Sequence, residues 1–150
     1  MEHTWWYCDT RYEWCRSFYK DREYLLDLML IADHFVLNED RHYGNFGLIR
    51  NVNTGEFVSP APIFDNGNSM FFGSLKLNPD SLECKPFHKK FEHQIKHINV
   101  LEYAEYIHKI LNCIDDIFWD SFKDSFEDKM RLQGILNIIK ERGKQLTISL

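Results

Sequence analysis

Apolar residues recur every three to four positions in three stretches of this 150-residue chain, and no other feature limits its fold as tightly. Leu25, Leu26, Met29, Leu30 and Phe35 form the first stripe. Leu101, Ala104, Ile107, Leu111, Ile114 and Phe118 form the second, and Met130, Leu132, Ile135, Leu136, Ile138 and Ile139 the third. A helical turn places such positions on one side, and a one-sided apolar stripe needs another element to cover it. The first stripe belongs to a helical stretch over 9–36, with Asp21 as a cap for its better half. The third should end at Gly143, read as a C′ glycine. Another helical segment is expected from Pro86 to about His97.

One stretch has a different period. Residues 46–50 read as a short strand, Asn53-Thr54-Gly55 as a tight turn and residues 56–58 as the returning strand. Pro60 and Pro62 should break the ladder, because proline has no N–H to donate. The expectation is a mainly α fold with a small β-hairpin, one domain over 1–150.

Composition removes several functions. A formal charge of −5 makes the chain a poor holder of nucleic acid, which needs clustered Lys and Arg. The longest basic cluster, 85–90, is short and reads as solvated surface. No apolar run is long enough for a membrane span, and the start lacks the pattern of a signal peptide. Cys8, Cys15, Cys84 and Cys113 form no CxxC pair, so free thiols in a reducing cytoplasm are expected. His88, His93 and His97 are spaced to share a helix face. No acidic residue or cysteine is spaced to complete a tetrahedral metal set with them, so a wet face is the preferred reading.

The residues flanking the hairpin carry the chemistry. Asp40-Arg41-His42-Tyr43-Gly44-Asn45 precedes it, and Asp65-Asn66-Gly67 follows. Phosphoryl transfer needs a group at the nucleophile's proton and oxygen ligands for magnesium. A D-x-x-x-x-N loop offers both, and a second carboxylate beyond the hairpin completes a set of one or two carboxylates plus phosphate oxygens and water.

Asp40-Arg41-His42 through Asn45, the hairpin, and Phe64-Asp65-x-Gly67 together resemble the C-terminal lobe of HipA-like kinases. These are bacterial Ser/Thr kinases of protein-kinase-like fold, distantly related to phosphatidylinositol kinases. The motif-bearing resemblance covers about residues 25–70. It implies a protein-kinase-like C-lobe with ATP and Mg²⁺ as cofactors and a protein Ser or Thr as acceptor. Asp40 matches the catalytic-loop aspartate and His42 the loop histidine. Asn45 and Asp65 match the metal- and nucleotide-binding pair, and Arg41 the residue that braces the loop. Asn66 stands where many kinases carry Phe, a position that tunes packing rather than metal binding. The resemblance also implies a toxin–antitoxin setting, with a separately encoded N-lobe or an antitoxin-like protein as partner, and no direct nucleic-acid or membrane partner.

An N-lobe would bring a glycine-containing loop and a lysine to the phosphates. The first glycine here is Gly44, and Lys20 is the sole lysine before Asp40. The expectation is therefore a C-lobe without its N-lobe. The chain is then half of a split kinase, a piece of a longer kinase, or a non-catalytic kinase-derived interaction module. The aromatic start (Trp5, Trp6, Tyr7, Tyr12, Trp14, Phe18, Tyr19) either packs on the lobe's own helices or faces a partner. A phosphatidylinositol-kinase-like enzyme ranks below these, because residues 66–80 carry only Lys76 as a positive charge.

Overall fold

The computed structural model describes residues 10–125 and 128–148. Trp5, Trp6, Tyr7 and Cys8 lie outside them. The fold is mainly α with one two-stranded antiparallel sheet. The helices are α1 (Arg11–Ser17), α2 (Tyr24–Val36), α3 (Phe91–Gln94), α4 (Ala104–Phe122) and α5 (Lys129–Ile148). The strands are β1 (Leu48–Arg50) and β2 (Phe57–Pro60). No helix among the described residues is long and apolar enough to cross a membrane.

The helical stretch expected over 9–36 is two helices. A capping box starts α1: Glu13 N–H donates to Thr10 Oγ1, and Thr10 N–H donates to the Glu13 carboxylate. The helix closes at Phe18, whose N–H turns back to the Cys15 and Arg16 carbonyls. Lys20 and Asp21 then take left-handed φ values of 30° and 49°, which a helix cannot continue. Asp21 is therefore in the break and is not the cap. Glu23 occupies the N-cap of α2, without a side-chain bond.

The apolar face of α2 supplies the centre of the core. Leu26, Leu30 and Ile31 are buried there with Phe35, and Ile107 of α4 and Leu136 of α5 meet them. Each such side chain contributes about 1.5–3 kcal/mol by leaving water. Two tyrosines lock the near end of α2. Tyr12 and Tyr103 both donate to the buried Asp27 carboxylate, the latter at 2.7 Å. That contact fastens α1, α2 and the 3-10 turn Val100–Tyr103 together.

The hairpin pairs Leu48 with Pro60, Ile49 with Ser59 and Arg50 with Phe57, with an irregularity between Ile49 and Arg50. Asn51 Oδ1 accepts from the Asn53 and Thr54 N–H groups, and Gly55 takes φ 74°. The expected turn thus lies where Asn and Gly chemistry put it. Pro60 is the last residue of β2 and still pairs, opposite Leu48. The pairing even continues past it, with Ala61 N–H on the Gly47 carbonyl at 2.9 Å. A two-stranded ribbon has only edges, so an imino group with no N–H is tolerated there.

Two further expectations are corrected. The segment after Pro86 is helical only at α3, because Lys90 is extended and 85–88 form a turn. Gly143 does not end the third helix but lies inside α5. A Cβ there would come within 2.7 Å of Leu111 Cδ2 and closer still to the Phe35 ring. The glycine lets α5 approach α2 and α4. Gly143→Ala is expected to lower stability by about 1–3 kcal/mol through overpacking, read as a shift in the urea midpoint. A gain, which helix propensity alone predicts, would contradict this packing role.

Candidate functional site

The site is built on the end of α2. Leu37 terminates that helix in a left-handed conformation (φ 55°, ψ 50°), and Asn38 N–H closes the turn on the Asp33 carbonyl at 3.0 Å. This reversal turns the chain sharply and sends 38–45 back along the helix end. Asn38 is fully buried. Its Nδ2 donates to Asp33 Oδ1 and its Oδ1 accepts from Asp40 N–H, both at 3.1 Å.

Arg41 organises the rest. It has no exposed surface. Nε and Nη2 donate to the two oxygens of Asp33 at 2.9 Å each, a bidentate fork. Nη1 donates to the carbonyls of Asn45 and Phe64, and Nη2 also donates to Asn66 Oδ1. Guanidinium has five N–H groups, and all five are engaged. The two carbonyls on Nη1 are 3.0 and 2.5 Å from it, so they lie within about 5.5 Å of each other. The 40–45 loop and the 64–66 segment are therefore side by side. Burial pushes the Asp33 carboxyl above its ordinary value, against the pull of the Arg41 fork.

On this base the sequence-derived residues fall as follows. Asn45 is buried, and its Nδ2 donates to the Asp40 carbonyl at 3.0 Å. With the nitrogen so engaged, the amide oxygen is the atom left to serve as a cation ligand. Asp65 is exposed and takes a left-handed φ of 55°. Arg41 holds both of its neighbours, through the Phe64 carbonyl and the Asn66 side chain. Aspartate tolerates this conformation better than most residues, at a cost in backbone strain. His42 is exposed, and its Nδ1 accepts from Gly44 N–H at 3.0 Å. That bond leaves the ring proton on Nε2 when the imidazole is neutral.

Asp40 is part-exposed and meets Lys85, whose Nζ is 2.6 Å from Oδ1. The pair holds the Asp40 carboxyl below its ordinary value, chiefly through the hydrogen bond from Lys85. The basic cluster expected to be plain surface is exposed, and its first lysine also reaches this carboxylate. Lys89 pairs with Glu83 at 3.4 Å, and Lys90 donates to the Asp80 carbonyl.

Three residues of this arrangement have no role in the sequence reading: Asp33, Asn38 and Lys85. Asp33 left one signal, a carboxylate set in the apolar run Leu30-Ile31-Ala32. A carboxylate is rarely buried without a partner, and the nearest arginine downstream is Arg41. Lys85 left none, being 45 residues from Asp40.

The histidines do not share a helix face. His88 precedes α3, His93 lies in it and His97 follows it. His88 Nε2 is 3.3 Å from His93 Nδ1. His88 Nδ1 already accepts from Lys90 N–H, so Nε2 carries the proton and its lone pair is not open to a metal. No group of three or more His, Cys, Asp or Glu among the described residues fits a metal. Cys15, Cys84 and Cys113 are free thiols, and burial pushes the Cys15 thiol up to about 11 and Cys84 to about 12.

The described part of the aromatic start divides between the core and an open groove. Tyr12 and Tyr19 are buried, while Trp14 and Phe18 line a groove of about 670 Å³ beside the hairpin with Phe46 and Phe57. Comparison of the chain with protein-family models, curated proteins and solved structures gave no match.

Proposed function

We propose that the chain is the C-terminal catalytic lobe of a HipA-like Ser/Thr kinase. The observation that carries this reading is the Arg41 hub. One buried guanidinium holds the D-x-x-x-x-N loop against the D-x-G segment, though the hairpin separates them in sequence. A turn aspartate and a turn asparagine are common singly. A fully buried arginine with three donors joining them and two on Asp33 is costly scaffolding without a reason at that junction.

In this reading Asp40 orients the acceptor hydroxyl and takes its proton. The hydroxyl oxygen forms a bond to the γ-phosphorus, the bond from that phosphorus to the β-bridging oxygen breaks, and ADP departs with the electron pair. Asn45 Oδ1 and the Asp65 carboxylate would hold Mg²⁺, a donor set that fits a cation satisfied by one carboxylate, phosphate oxygens and water. When bound, the ion neutralises charge on the phosphates. His42 supports the loop through Gly44. The roof over the nucleotide and the lysine on its phosphates belong to a second lobe.

The test is calorimetric titration with Mg-ATP. The chain is expected to bind, and Asp65→Asn to lose most of that binding with its fold intact by circular dichroism. Equal binding by the variant would overturn the assignment of Asp65.

A second reading, a non-catalytic kinase-derived interaction module, is favoured by the ion pair that caps Asp40 and by the exposed Phe57, Val58, Phe72 and Leu75. Absence of any Mg-ATP binding by the unaltered chain would favour it.

A further inference from the structure

We propose that Lys85 is the cation that holds the transferring phosphoryl group at Asp40, delivered from outside the catalytic loop by a turn locked onto Gln94. The inference rests on the kinase reading above.

Lys85 is not a freely hanging surface side chain. Its carbonyl accepts from Gln94 Nε2 at 2.7 Å, while Gln94 Oε1 accepts from the Phe87 and His88 N–H groups at 3.1 and 3.4 Å. Gln94 is only 1% exposed. A buried amide is costly unless its polar atoms are matched, and here both ends are committed to this turn. Cys84 N–H closes the base of the turn on the Lys89 carbonyl at 2.9 Å. The Phe87 ring stands edge-on to Tyr43 and Phe46, at 6.1 and 6.3 Å between centroids, which fixes the turn against the catalytic loop. The backbone of Lys85 is therefore held in register with Asp40.

The pair itself adds little to stability. Lys85 and Asp40 side chains are 56% and 39% exposed, and exposed ion pairs are worth little. Its value lies elsewhere. The nucleophile-orienting carboxylate and the incoming phosphate are both anionic and must come close, so a cation beside Asp40 lowers their repulsion, in addition to the Mg²⁺ that Asn45 and Asp65 would hold. Arg41, the arginine of the same loop, has all five N–H groups on protein acceptors. An ammonium has three donors, and Asp40 accounts for one. In an exposed pair the ammonium shifts to a phosphate oxygen at small cost. The acceptor's proton goes to Asp40, and the bond to the β-bridging oxygen breaks with ADP leaving.

A contact to the γ-phosphate predicts a nucleotide-specific effect, which a structural role does not. The experiment is calorimetric titration of the full chain with Mg-ATP and with Mg-ADP, for the unaltered protein, Lys85→Met, Lys85→Arg and Asp65→Asn. The expected result is a preference for Mg-ATP that Lys85→Met reduces by about tenfold without changing Mg-ADP affinity. Lys85→Arg should restore most of it, and Asp65→Asn should weaken both nucleotides. An unchanged ATP-to-ADP ratio in Lys85→Met, with binding still lost in Asp65→Asn, would overturn the role of Lys85 and leave the kinase reading standing. No binding of either nucleotide by the unaltered chain would overturn both.

Discussion

Arg41→Ala is expected to destabilise the protein by about 3–5 kcal/mol, the range for breaking a buried ion pair from one side. The loss comes from what remains behind. Asp33 would keep its carboxylate in the core with only Asn38 as a side-chain donor, and the carbonyls of Asn45 and Phe64 and the Asn66 amide would lose their shared donor. The raised Asp33 pKa indicates that burial already outweighs the arginine's pull on that carboxylate. The ion pair is therefore weak as a stabiliser and strong as a constraint on geometry. Two companions separate these roles. Arg41→Lys keeps the charge but not the planar fork, and should fall between wild type and alanine. Arg41→Met with Asp33→Leu removes both charges and should recover part of the stability. It should not recover Mg-ATP binding, because nothing would then hold the 40–45 loop to the 64–66 segment. Urea unfolding followed by tryptophan fluorescence gives the first comparison. A loss below about 1 kcal/mol in Arg41→Ala would show that the hub is not what holds this junction.

The hub also marks how far the sequence could be read. The stripes of α2, α4 and α5 were legible because burial on one side leaves a period, and Leu26, Ile107 and Leu136 lie where it puts them. The hairpin turn was legible because Asn51 and Gly55 meet backbone demands few other residues meet. Helix ends were not. The break at 18–23 depends on left-handed Lys20 and Asp21, which no composition rule anticipates. Gly143 has the composition of a helix end, but a close approach to Leu111 and Phe35 explains it, and that contact is tertiary. At the site, Asp40, Asn45 and Asp65 could be named from their order along the chain. Asp33 and Asn38 could not be given roles, because these require the left-handed Leu37 to fold the loop back over α2. Lys85 was beyond reach because Gln94, another remote residue, places it.

Acid should unfold the protein early, and His34 is the reason. Its side chain is 3% exposed, and its Nδ1 faces Arg142 Nη2 at 3.0 Å. A guanidinium only donates, so Nδ1 must accept. The ring proton then sits on Nε2. Protonating Nδ1 would remove that acceptor and set two buried cations together. Burial, and then the Arg142 charge, bring the His34 pKa down to about 3. In the unfolded chain it titrates near its ordinary value of about 6.5. Between those values the unfolded state binds a proton that the folded state refuses. Stability contributed by neutral His34 is thus complete above about pH 6.5 and falls by up to about 1.4 kcal/mol per unit as pH drops towards 3. The raised Asp33 pKa acts in the opposite sense, since the folded state takes that proton more readily than the unfolded chain.

His34→Asn isolates the histidine, because it keeps an acceptor for Arg142 and does not titrate. The variant should be less stable than wild type at pH 7, where it lacks ring packing against Phe91. It should lose less on acidification, so the two urea midpoints should converge between pH 6.5 and 4. Parallel curves over that range would exclude His34 as the acid-labile group. Arg142 also donates to the His34 carbonyl at 2.8 Å and stands 5.1 Å over the Phe91 ring, which ties α5 to α2 and α3. Acid that releases this lock frees the helix whose C-terminal end carries Asp33 and the turn into Asp40. Mg-ATP binding, where present, should therefore be lost along the same pH curve as the fold and not ahead of it.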